Sequence, residues 1–241
     1  TCFFALSGVL PREDAIANRS QSVDHLGEPW ALPLAEARLS SFLAADASQS
    51  ADITLQAFLS GDIVDLQGRL NLDNLVTVTS GTPTGGGVAA PQVQVSEPDW
   101  RAFERLFDLL GLPPAELQSF TSQLSAAKAA QAGTREGDAP LMPARWGQLG
   151  WLGLPPRSLA LLAPHATWLP ARRTALNINT ASAEALFAAL DGIDMAQARQ
   201  LVDQRASSHF KDLADARARF PQLASALNDS QRLNTSSSHF Q

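Results

Sequence analysis

The chain has 241 residues, 45% apolar and 17% charged, enough for one large domain or two modest ones. Eighteen basic residues face 24 acidic ones for a net charge of −6, so a surface built to coat nucleic acid or an anionic membrane is not expected. Cys2 is the only cysteine, which excludes an intrachain disulfide and a paired-cysteine metal or redox site; the histidines at 25, 165, 209 and 239 lack zinc-site spacing.

In chain order, Cys2, Phe3, Phe4, Ala5 and Leu6 open the sequence without a preceding basic region, so the start does not read as a signal peptide. Residues 1–10 read instead as the last turns of a longer helix, with a membrane anchor expected ahead of them. Residues 12–34 suit an irregular connection. From 51, Ile53, Leu55, Ala57 and Leu59 alternate with Thr54, Gln56 and Phe58; a second alternating stretch runs from Ile63 to Leu75. With Gly61-Asp62 between them, the two predict a hairpin. Residues 79–98, rich in Gly, Pro, Ser and Thr, predict a flexible linker.

After the linker the period becomes helical. Ser96 and Asp99 have capping-box spacing, and Trp100, Phe103, Leu106, Phe107 and Leu110 share one face as far as Gly111. A second helix is expected from Pro113 or Pro114 through Leu117, Phe120 and Leu124 to about Gly133, then loop over 134–156 and a short helix over 157–163. Three further short helical pieces run to about 227. Strands followed by a helical block give an α+β chain.

Within that block, Leu176–Arg205 holds two short helices around Leu190-Asp191-Gly192-Ile193-Asp194, resembling a helix-hairpin-helix unit. Thr180 is the expected N-cap of the first helix, and Asp194 with Gln197 a capping box for the second. Such hairpins hold DNA phosphate on turn amides, but here Asp191 and Asp194 flank the turn, and residues 171–220 carry seven bases against six acids. A packing role is therefore expected, and a DNA-binding protein of a DNA-uptake type is the alternative reading. Asp62, Asp65 and Asp73 could be metal or acid–base carboxylates; alternation instead assigns them to the solvent side of a strand and its turns. Ser60-Gly61 and Ser80-Gly81 do not complete a nucleophile motif, and Gly85–Gly87 lacks the lysine of a phosphate loop, so no enzyme activity is expected. Trp100 is expected in the core; Trp146 and Trp151, in a loop, are the candidate interface residues.

Three blocks in order carry a family resemblance. Glu28, Trp30 and Ala31 fit E-x-W-A. Gly68, Arg69, Asn71, Leu72, Asn74 and Leu75 fit G-R-F-N-L-N-N-L, with Leu70 for Phe and Asp73 for Asn. Leu169, Pro170, Leu176, Asn177, Asn179, Thr180 and Ala181 fit L-P…L-N-[IV]-N-T-A. With the closing SSSHF at 236–240, the chain resembles the general secretion pathway protein K family, the large minor pseudopilins of bacterial type II secretion systems.

The resemblance implies a pilin-like αβ domain (1–95), an inserted all-α domain (96–230) containing the helix-hairpin-helix-like unit, and a return strand (231–241). It implies a non-catalytic subunit that initiates or caps the periplasmic pseudopilus with minor pseudopilins I and J and limits its length. Other pseudopilins and the secreted substrate are further partners, nucleic acid is not, and the full-length protein is anchored in the inner membrane. The bulk of the insertion predicts that removing 97–230 permits longer fibres. The family's calcium-associated acidic stretch is reduced here to Glu136 and Asp138, so no metal and no other cofactor is expected.

Overall fold

A computed structural model describes residues 23–32, 34–38, 58–79, 91–133, 139–170 and 172–241. The apolar opening 1–10, the alternation at 51–57, Gly85–Gly87, Glu136 and Asp138 lie outside these residues. The described elements are β1 (Leu34–Arg38), β2 (Phe58–Gly61), β3 (Leu70–Asn71), β4 (Val76–Thr79), β5 (Gln92–Val95), α1 (Glu97–Leu109) and α2 (Pro114–Gln131). They continue with α3 (Pro156–Leu162), β6 (Ala166–Thr167), β7 (Leu176–Asn177), α4 (Ala183–Ala189), α5 (Met195–Ser207), α6 (Leu213–Arg219) and β8 (Leu233–Asn234). The fold mixes helix and sheet, as the sequence predicts.

Helix α1 carries Glu97, Pro98 and Asp99 in its first turn, where proline fits and negative charge is favourable, and the chain turns out of it at Gly111, whose φ of +64° few other residues adopt. Its face Ala102, Phe103, Leu106 and Phe107 is buried, and α1 packs on α4. Helix α2 buries Leu117, Phe120, Leu124 and Ala127 at helical spacing. Each fully buried Phe or Leu contributes about 1.5–3 kcal/mol, so tertiary burial rather than intrinsic propensity holds these helices. Asp194 and Gln197 form the expected capping box on α5, with Gly192 (φ +76°) turning the chain before it. Trp100 is half-buried against the core.

Among the described residues the strands pair two by two: β1–β2 and β4–β5 antiparallel, β3–β6 and β7–β8 parallel. Near the chain end, Val64 and Gln241 exchange backbone hydrogen bonds of 2.8 and 2.9 Å, and Asp65 bridges Phe240. Segments 64–71, 166–177 and 233–241, far apart in sequence, are thus laced together.

Four expectations change. Among the described residues the expected hairpin about Gly61-Asp62 does not form: β2 pairs with β1, and residues 66–75 are two 3₁₀ turns around the two-residue β3. The cause is local, since the Asp65 carboxylate accepts from Gln67 N and the Asn71 amide oxygen from Asp73 N, two side-chain turns that compete with an extended strand. The 79–98 linker is shortened from its C-terminal side, where β5 pairs with β4 in register Val76↔Val95 to Thr79↔Gln92 and α1 starts at Glu97. Thr180 does not cap α4; Ser182 does, accepting from Ala185 N at 3.1 Å. The helical block keeps its three expected short helices as α4, α5 and α6, but two short strands, β6 and β7, interrupt it ahead of them.

Candidate functional site

Two residues of the third sequence block, Asn177 and Thr180, meet at a buried polar hub, and Gly68 of the second block packs against it. Its centre is Asp65, 5% exposed, and so not on a solvent side. One carboxylate oxygen accepts from Gln67 N at 2.8 Å. The other accepts from Thr180 Oγ1 and Ser237 Oγ, both at 2.6 Å, and from Asn177 Nδ2 at 3.3 Å. Four donors on one buried carboxylate offset its desolvation and fix three chain segments, at 65–67, 177–180 and 237, at one point.

Asn177, fully buried, also donates to the Asp24 carbonyl and to Ser237 Oγ, and its own carbonyl accepts from Asn179 N. Its neighbour Leu176 donates its backbone N–H to the Arg232 carbonyl at 2.7 Å. Glu28 and Trp30 stand at the rim. The Glu28 carboxylate accepts from His25 N and from Trp30 Nε1 at 2.9 and 2.8 Å, and the Trp30 ring meets Phe240 edge-on at 5.0 Å.

Gly68 is required by close approach. A Cβ there would stand 2.9 Å from Thr180 Oγ1 and 3.2 Å from the Thr180 backbone carbonyl. Gly68→Ala should therefore cost about 1–3 kcal/mol through overpacking against the hub. Urea unfolding checks this; an unchanged midpoint would show that Thr180 yields freely.

The two other asparagines of the second block act beside the hub. Asn71 clamps the 169–172 loop, accepting from Leu169 N and donating to the carbonyls of Leu169 and Arg172. Asn74 exchanges both amide bonds with Thr174. Asn179 lies away from them and pairs its amide with the backbone of Phe210 at 2.8 and 2.9 Å. Arg69 stays out of the hydrogen-bond network and lines a cleft with Trp146. Trp146 and Trp151 belong to a 3₁₀ helix over Trp146–Leu152; Trp151 is 55% exposed and away from the hub and the cleft.

Several members were not legible as members. Lys128, on the buried stripe of α2, sends its ammonium to the carbonyls of Asp73 and Val76 at 2.9 and 2.6 Å and to the Asp73 carboxylate at 2.8 Å. A lysine four residues after Leu124 on an apolar stripe is the signal that could have found it. Asp99, 5% exposed, accepts from Ser96 Oγ and receives Arg173 and Arg232, tying α1 to two remote segments. Arg205 is buried against the Ile178 carbonyl, and that burial pulls its guanidinium down to about 10, still charged at neutral pH.

The helix-hairpin-helix-like turn offers no phosphate cradle. The Asp194 carboxylate accepts from Gln197 N, filling the helix start with the protein's own negative charge, and exposed Asp191 pairs with Arg105. Among the described residues no three histidine, cysteine or acidic side chains gather closely enough to hold a metal ion, and no helix is long and apolar enough to cross a membrane.

Burial also lowers three histidines from their ordinary value. Glu184 opposes the shift at His165 while Arg69 adds to it; the stacked His25 ring, 3.9 Å away, adds to it at His209; Arg172 adds to it at His239. Because the unfolded chain takes up these protons first, the stability from the neutral rings is complete above about pH 6.5 and is lost as pH falls through and below that value. Melting temperature should therefore drop between pH 7.5 and 5.5, and less so in His209→Gln. Scanning calorimetry across that range checks it, and a rise on acidification would contradict it.

With its motif residues committed to fastening remote segments, the site defines a scaffold-type α+β protein. Residues 176–235 match the sequence model of a protein family described as type II secretion system (T2SS), protein K. The whole fold is similar to a chain in the crystal structure of the GspK-GspI-GspJ complex from the enterotoxigenic Escherichia coli type 2 secretion system. That similarity has a TM-score of 0.55 at 18% identity and covers 94% of this chain and 77% of that one. No curated protein sequence matches the chain. The family match bears the description of the family that the sequence blocks resemble, and the structural match shows a shared fold.

Proposed function

We propose that this chain is the large minor pseudopilin of a type II secretion system, a non-enzymatic subunit that assembles with minor pseudopilins I and J at the pseudopilus tip. The observation that carries the reading is the match over 176–235, because that span contains the third sequence block from Leu176 to Ala181 and supplies Asn177 and Thr180 to the hub. The structural neighbour is a chain of the GspK-GspI-GspJ complex, which supports the choice of partners. On this reading the sheet elements belong to a pilin-like domain, the helices α1–α6 to an insertion within it, and the protein stands on the periplasmic side behind an inner-membrane anchor. The helical bulk blocks further stacking and so limits fibre length.

Excision of 97–230 is not a usable test of length control, since that span holds the hub partners Asn177 and Thr180 and would unfold the rest. Deleting the gene in its source bacterium is the cleaner test. Export through the secretion system should stop, fibres of the major subunit should lengthen, and a plasmid copy should restore both. Intact export would overturn the assignment; normal fibre length with lost export would remove length control alone.

A further inference from the structure

A cleft of about 740 Å³ opens beside the hub, lined by Arg69, Arg145, Trp146, Ala166, Trp168 and Gln241 among others. Arginine on this chain is generally partnered where the fold covers it. Among the described residues, each other arginine that is half-buried or buried donates to a carboxylate, amide or carbonyl: Arg105 to Ala188, Arg205 to Ile178, Arg217 to Asn228, Arg219 to Asp215 and Arg232 to Asp99.

Arg69 is the exception. It is half-buried, yet its guanidinium donates no hydrogen bond and joins no ion pair within 4.0 Å among the described residues. The acid whose field reaches it, Asp65, already holds four donors. A covered cation without an acceptor costs stability unless something outside the fold supplies one. Arg145, exposed on the same wall, is also without an ion pair among the described residues.

The rest of the wall narrows the chemistry of that acceptor. Trp168, 7% exposed, spends its indole N–H on the Pro143 carbonyl, so the part of its ring that reaches the cleft is apolar; Ala166 is buried in the same wall. Two guanidinia above an aromatic and aliphatic floor suit a carboxylate carried on a polypeptide. Arginine engages a carboxylate in bidentate fashion, and Arg and Trp are the side chains that most often dominate protein interfaces.

We propose that this cleft is a docking site for an acidic segment of a neighbouring minor pseudopilin, with a partner carboxylate held by Arg69 and Arg145 and flanked by Trp146 and Trp168. The inference rests on the assembly role given above and specifies the chemistry of one contact.

The test is isothermal titration of this protein with the soluble domains of minor pseudopilins I and J, separately and premixed, using wild type, Arg69→Gln and Arg145→Glu. Arg145→Glu changes a solvent-facing side chain and preserves the fold, which a melting curve confirms. Each substitution should weaken binding about tenfold or more, and added salt should weaken wild type toward the variants. Wild-type binding with both variants within threefold of it would overturn the cleft as the docking site and leave the assembly role standing. No wild-type binding to either partner or to the mixture would count against the assembly role itself.

Discussion

Asp65→Ala is expected to lower the free energy of unfolding by about 3–5 kcal/mol, the largest single effect in the molecule. The substitution strips the acceptor from Gln67 N, Asn177 Nδ2, Thr180 Oγ1 and Ser237 Oγ together, and buried donors left without partners cost far more than the bonds themselves contribute net. At the enthalpy of a chain this size the loss corresponds to a fall in melting temperature of about 10 °C. The isosteric Asp65→Asn should recover only part, because its amide oxygen can still accept at one position while its NH₂ faces the Gln67 N–H at the other. Thermal unfolding of both variants checks this. A loss below about 1 kcal/mol for Asp65→Ala would mean that the donors find other acceptors and that the hub does not hold the segments together.

The second large effect is at Lys128. Lys128→Met should cost about 3 kcal/mol, because it leaves the buried Asp73 carboxylate without its ion pair and removes the donor to the carbonyls of Asp73 and Val76. Adding Asp73→Asn should recover part of that loss. Replacing both charges of a buried pair is commonly near neutral, whereas removing one is not, and a double-mutant cycle separates the two terms. If the double variant proves less stable than Lys128→Met by a further 2 kcal/mol or more, the ion pair is not the source of the cost. The pair joins α2 to the turn before β4, so hydrogen exchange of the β4–β5 amides should rise in Lys128→Met.

How far the sequence carries the reader differs by element. Helices α1, α2 and α5 were legible because a 3.6-residue apolar period agreed with a proline or capping box at the start and, for α1 and α2, with a glycine near the end. The segment 66–75 was not. Its leucines alternate as in a strand, but Asp65 and Asn71 turn the backbone by accepting from amides two residues ahead, and such competition is invisible to a count of apolar positions. The parallel pairings of 70–71 with 166–167 and 176–177 with 233–234 join residues too remote for local pattern to show.

The site was legible in a similar, partial way. The blocks around Glu28, Gly68 and Asn177 were chosen as motif residues, and the structure shows why those residue types suit those positions. Gly68 gives room to Thr180, the asparagines present a donor and an acceptor on one short side chain, and Glu28 receives an indole N–H. Asp65 and Lys128 were missed because charged residues are assigned to solvent by default. Burial with full partnering is a tertiary property, and nothing in the residues adjacent to Asp65 announces Ser237.

The central claim is that this chain works by assembly. The most direct measurement is light scattering after gel filtration of this protein mixed with the soluble domains of minor pseudopilins I and J from its source bacterium. The account predicts a single 1:1:1 species at the summed mass at micromolar concentration. Three separate peaks at their individual masses would contradict it.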